Sequence, residues 1–138
     1  MNIYKISDNN FVNSELYQNY LMNNPSIGYL KIRASAANSA VPISGLKVLV
    51  SKIIDNNMVI FYEGSTNDSG IIEKISLPVP KIVSDDLIAP VGMEYDINTN
   101  YEVDNIIGNY KVNVYENIYV VQNINIVPKS KEGVLNGY

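Results

Sequence analysis

The chain has 138 residues, no cysteine, no histidine and a formal net charge of −4. Those absences remove a disulfide framework, a thiolate nucleophile, the usual general base and the physiological-pH switch. A composition of 46% hydrophobic and 17% charged residues is that of one globular domain. It holds no basic patch for nucleic acid and no apolar run as long as a membrane span.

Residues 1–12 alternate weakly, with Ile3, Ile6 and Phe11 among polar neighbours, and read as an arm, an edge strand or a frayed end. Met1–Asp8 has neither a basic n-region nor an apolar h-region, so classical secretion is not signalled. The expectation is synthesis in the cytoplasm and deposition on a spore or in a particle. Asn13–Asn23 predicts a short helix. Asn13 is placed to cap it, Leu16, Tyr17, Tyr20 and Leu21 share one face, and Pro25 stops it.

From Gly28 the hydrophobic period becomes two: Leu30, Ile32 and Ala34 face one way, Tyr29, Lys31 and Arg33 the other. Pro42 and Gly45 bracket a turn into a strand that carries Leu46, Val48 and Val50 inward. Asp55-Asn56-Asn57 is a turn, and Met58–Glu63 returns as an apolar strand. Asp68-Ser69-Gly70 is a turn whose glycine supplies positive φ, followed by a strand over Ile71–Leu77 that Pro78 and Pro80 stop. Ile82–Gly92 is irregular. Tyr95, Ile97, Thr99, Tyr101 and Val103 then alternate with polar residues, as a strand with one wet face does. A loop over Asp104–Asn109, a strand with Tyr110, Val112 and Val114, a tight turn at Glu116-Asn117 and a last strand over Ile118–Val127 complete the pattern.

About seven short strands at this spacing predict an all-β protein: a single Greek-key β-sandwich with one short N-terminal helix. The expected divisions are an N-terminal arm and helix (1–27), the sandwich (28–127) and a C-terminal tail (128–138).

Carboxylates are available at Glu63, Asp68, Glu73, Asp85, Asp86, Glu94 and Asp96. Most fall on solvent-facing strand positions or in turns, where solvation accounts for them better than paired acid–base work or calcium ligation. The serines have no histidine to activate them. No catalytic residue, metal or cofactor is expected. Aromatic rings offer contact surface instead. Tyr95, Tyr101 and Tyr110 lie on inward phases, whereas Tyr29, Tyr115 and Tyr119 lie on outward ones. With Tyr4 and Phe11 in the arm and Tyr138 in the tail, these three make up the candidate interaction surface.

Gly28-Tyr29-Leu30-Lys31-Ile32, the Pro-x-x-Gly-x-x-Val-x-Val pattern of Val41–Val50, Thr66–Gly70 and Tyr110–Val114 resemble the transthyretin-like and carboxypeptidase-regulatory-like β-sandwiches. The Gly-Tyr-Leu start and the Leu77-Pro78-Val79-Pro80 stop resemble the sandwich domain attached to clostridial spore cortex-lytic enzymes. The resemblance implies a non-catalytic module of a spore layer, spore appendage or phage-tail-like structure, with protein partners and self-assembly. Its alternative is a peptidoglycan-binding or regulatory module acting with a wall-lytic enzyme. The histidine-dependent hydrolase activity of transthyretin relatives does not carry over, since the chain has no histidine.

Overall fold

The computed structural model describes residues 1–83 and 89–127. Asp85, Asp86, the tail 128–138 and Tyr138 lie outside the described residues. Strand β1 (Ile3–Lys5) is followed by a one-turn helix α1 (Asn9–Val12), helix α2 (Glu15–Asn23) and the long strand β2 (Ser26–Ala36). Strands β3 (Val41–Pro42), β4 (Lys47–Ile54), β5 (Asn57–Ser65), β6 (Ile71–Val79), β7 (Met93–Tyr101), β8 (Ile106–Val114) and β9 (Tyr119–Asn125) complete the described fold. One sheet runs β1-β5-β4-β7-β8, and in the other β2 pairs with β3, β6 and β9. The seven long strands are the seven legible in the sequence, and the architecture is the expected all-β sandwich.

Period-two burial explains why the sheets face each other. Leu30, Ile32, Leu77, Val79 and Ile124 from one sheet meet Val48, Val50, Val59, Tyr95 and Ile97 from the other, all essentially without solvent contact. Each such aliphatic side chain contributes about 1.5–3 kcal/mol by leaving water. Their polar neighbours along each strand remain outside, apart from Ser51 and Thr99, which are buried.

The turns follow local chemistry. Ile54 pairs with Asn57, so the β4–β5 loop is two residues, and Asp55 and Asn56 both take positive φ (47° and 62°). That is the demand of a type I′ hairpin, which Asn and Asp meet at little cost. Before β6, the Asn67 carboxamide oxygen accepts from the Ser69 and Ile71 amides. Gly70 follows at φ 76°, where a Cβ would strike the Ala34 carbonyl.

Four local readings change. The longer helix is capped by Ser14, whose hydroxyl accepts from the Tyr17 amide, and not by Asn13. Asp8 caps the extra turn α1, so Asn13 closes that turn instead. Strand β6 runs through Pro78 to Val79 because Pro78 faces Ile27 on an edge strand that pairs only with β2 among the described residues. A missing N–H is harmless there. The loop expected over 104–109 shrinks to a turn ending at Asn105 (φ 54°), with Val103 on the turn and β8 already begun at Ile106. Residues 1–27 also share the sandwich: β1 hydrogen-bonds in parallel to β5, and Phe11, Tyr17 and Tyr20 belong to the core cluster. The division drawn after residue 27 therefore falls inside β2.

Candidate functional site

Of the six aromatic residues singled out in the sequence, Tyr138 lies outside the described residues, and the fold sends the other five to different places. Tyr4 and Phe11 stack on each other with centroids 4.7 Å apart, and Phe11 is only 5% exposed. Phe11 is thus core, not contact surface. It begins a ladder of rings that runs through Tyr17, Tyr20 and Phe61 to Tyr95. The arm behaves this way because β1 draws it onto β5 and folds Phe11 over the open side of the sandwich. Tyr115 is half-buried, with its backbone against Gly28 and its ring against Gly92.

Tyr29 and Tyr119 are brought together. They are register partners in the parallel pair β2–β9, and their rings stack at 4.6 Å and 20°. The Lys74 ammonium sits 5.0 Å from the Tyr29 centroid. A Lys–Tyr–Tyr row therefore crosses β6, β2 and β9 on the outer face of this sheet. Ile27, Lys31 and Arg33 lie on the same face of β2, and Val121 on that of β9. Tyr119 is 57% exposed and Val121 45%.

Charge separates this face from the outer face of the other sheet. There the lysines pair off: Lys5 with Glu63 at 2.8 Å, Lys47 with Glu102 at 3.0 Å, and Lys111 with Asp96 at 2.6 Å and Glu94 at 3.8 Å. Exposed pairs of this kind add little stability, but they leave a neutralised surface. On the Tyr29 face Lys31 approaches Glu73 at 3.7 Å, Lys74 rests on the ring, and Arg33, the chain's single arginine, has no side-chain partner among the described residues. An acidic protein thus carries a basic, aromatic face. Of the carboxylates considered for catalysis or calcium, Glu63, Glu73, Glu94 and Asp96 each face a lysine, Asp68 accepts from Ser44 Oγ at 3.4 Å, and Asp85 and Asp86 lie outside the described residues. Among the described residues no three acidic side chains gather as a metal site.

The edge beside that face is also distinctive. The Tyr29 amide donates to the Ile118 carbonyl, and the Ile126 amide to Ser35. Backbone alternation in a parallel pair then turns the N–H and C=O groups of Tyr119, Val121, Asn123 and Asn125 away from β2. β9 has no second strand neighbour among the described residues. Residues 119–127 contain neither a charge nor a proline. This edge was not legible in the sequence, because a parallel partner 90 residues away leaves no local signal.

Behind the aromatic ladder lies a buried hydroxyl chain. Tyr95 donates to the Pro78 carbonyl, so the proton of the 2.8 Å Tyr20–Tyr95 contact comes from Tyr20. Burial is the main cause that pushes Tyr20 up to about 12 and raises Tyr95 further. Both stay neutral hydrogen-bonding groups at any physiological pH and offer no acid–base chemistry. At the β8–β9 corner the Glu116 carboxylate accepts from Ser26 Oγ at 2.6 Å and from the Ile82 amide at 2.8 Å. Those two bonds, the Ser26 one first, lower its pKa. It serves as a clamp between β2, the start of the irregular stretch and β9.

No protein-family model and no curated protein matches the sequence. Among solved structures, transthyretin from Sparus aurata superposes with a TM-score of 0.51 at 10% identity, over 72% of this chain and 88% of that one. At that identity the likeness concerns the fold alone: the protein is an all-β sandwich of transthyretin-like fold.

Proposed function

We propose that this protein is a non-catalytic interaction subunit, which assembles with copies of itself or docks in a larger particle through the β9 edge and the face beside it. The observation that carries this reading is the unguarded edge. Natural sheets blunt their edges with lysine, proline, bulges or brevity. Here β6 contains Pro78, β8 contains Lys111, and β1 is three residues long. β9 presents seven residues with neither a charge nor a proline instead. An extended partner segment adding to such an edge gains backbone hydrogen bonds for affinity, and Tyr119, Val121 and the cations of β2 supply selectivity. A spore layer, spore appendage or tail-like particle is the proposed setting. It is supported by the resemblance of Gly28-Tyr29-Leu30 and Leu77-Pro78-Val79-Pro80 to the sandwich of spore cortex-lytic enzymes.

Sedimentation velocity of the full chain against its Val121→Lys variant tests the reading. Association that grows with concentration and is lost in the variant, at unchanged melting temperature, is the expected result. A wild type that stays monomeric at high concentration and loses no partner on substitution refutes it.

A second reading, recognition of peptidoglycan or regulation of a wall-lytic enzyme, draws on the open ring of Tyr119 and on the Lys31 and Arg33 cations farther along the same face. Sugars stack on tyrosine faces, and wall peptides carry carboxylates. Both faces of Tyr29 are already occupied, by Tyr119 and Lys74, which confines sugar stacking to Tyr119. Retention of the isolated monomer on purified cortex or wall, lost in Tyr119→Ala, would favour this reading over assembly.

A further inference from the structure

At the opposite edge of the same sheet, a groove of about 480 Å³ runs between α2 and β6. Its walls are Ile6, Leu21, Pro25, Ile27, Leu77 and Pro78, and no charged side chain lines it. Three polar groups face this apolar space or lie just beneath it without a partner among the described residues. Tyr17 borders the groove with a hydroxyl that makes no hydrogen bond to the described residues, and burial keeps that hydroxyl protonated by raising its pKa. Asn24, 3% exposed, donates its carboxamide N–H to the Tyr20 carbonyl, while its Oδ1 lies buried with no donor. Ser76 pairs with Tyr29, whose own amide points to β9. The Ser76 N–H and C=O therefore point away from β2, along the free edge of β6.

We propose that this groove is a second recognition site, distinct from β9, which takes an uncharged, apolar, extended segment of a partner protein. The backbone of the segment would form a single two-bond bridge with the open N–H and C=O of Ser76; Pro78, with no N–H and its carbonyl held by Tyr95, closes the edge to longer strand addition. Its apolar side chains would enter between Leu21, Ile27 and Leu77, and a peptide group would bond Tyr17 Oη. The absence of charge in the lining selects against charged occupants, because a buried charge without a counter-ion is penalised. The exposed backbone donor and acceptor favour a peptide over a small ligand.

The test is an amide-shift titration of the full-length labelled chain with the capped probe acetyl-Ser-Leu-Ser-Leu-Ser-amide. Saturable shifts at Ser76, Leu77, Leu21 and the Asn24 side-chain amide are expected. A probe with aspartate for leucine should leave them unmoved. Ser76→Pro removes an N–H that β2 does not use, so the dispersed spectrum should persist while affinity falls about tenfold. Leu21→Asp, on the helix side, should weaken binding comparably. Absence of saturable shifts at millimolar probe, unchanged affinity in Ser76→Pro, or equal binding of the aspartate probe would each overturn the proposal. None of these outcomes bears on association through β9, which Val121→Lys reports separately.

Discussion

Replacing Tyr95 by phenylalanine isolates the bond network that ties α2 to the sandwich. Tyr95 is fully buried; its hydroxyl accepts from Tyr20 and donates to the Pro78 carbonyl. Phenylalanine keeps the ring contacts with Phe61 but strands a buried hydroxyl on one side and a buried carbonyl on the other. Each stranded group costs about 1–3 kcal/mol, so Tyr95→Phe should lose roughly 2–6 kcal/mol. Tyr20→Phe removes only the first bond and leaves Tyr95 donating to Pro78, which puts its cost at about 0.5–1.5 kcal/mol. Urea unfolding measures both, and an unchanged m-value shows that the loss is one of stability. A domain of this size is stabilised by about 5–15 kcal/mol, so Tyr20→Phe should remain folded, and Tyr95→Phe as well at any stability above about 6 kcal/mol. If Tyr95→Phe costs no more than Tyr20→Phe, Tyr95 is not the shared node and the proton assignment is wrong.

Two further outcomes follow from the same packing. Gly28→Ala places a Cβ against the Tyr115 carbonyl and 2.5 Å from Val114 Cγ1; neither can retreat without moving β8, and the melting curve should show a loss of about 1–3 kcal/mol. At alkaline pH, Tyr20 titrates near 10.0 when unfolded and about 12 when folded. The folded state holds its proton more tightly, so this contribution is fully present below pH 10 and is lost as pH rises towards 12. Urea midpoints across that window should fall, and fall less steeply in Tyr20→Phe. Equal slopes in the two proteins would remove Tyr20 as the cause.

The sandwich was legible because its determinants are local. Leu30, Ile32 and Ala34 alternate with Tyr29, Lys31 and Arg33, and Asp55-Asn56 and Asp68-Ser69-Gly70 are turn residues whatever surrounds them. The inward phases of Tyr95, Tyr101 and Tyr110 and the outward phases of Tyr29 and Tyr119 also followed from period two. Phe11 misled because its neighbours are polar; what buries it is a parallel pairing of β1 with β5 more than 50 residues away. Pro78 read as a strand stop because nothing nearby tells an edge strand from a central one. Glu116 read as a turn residue, although its carboxylate reaches Ser26 and Ile82, and no spacing rule links those positions. Of the contact face, sequence phase placed Tyr29 and Tyr119 outside. Their stacking, the Lys74 cap and the open edge of β9 depend on which strands become neighbours, and pattern alone does not encode that.

Amide hydrogen exchange along β9, in dilute and concentrated protein, reads the openness of this edge residue by residue. The N–H groups of Val121, Asn123 and Asn125 face away from β2, while those of Val120, Gln122 and Ile124 face it. An open edge gives an alternating pattern at dilution, fast at 121, 123 and 125 and slow at 120, 122 and 124. The fast set should become protected as concentration rises or a partner is added. Slow exchange at all six positions in the dilute monomer, or fast exchange at 121, 123 and 125 that no concentration or partner changes, would contradict an open edge that pairs with a partner.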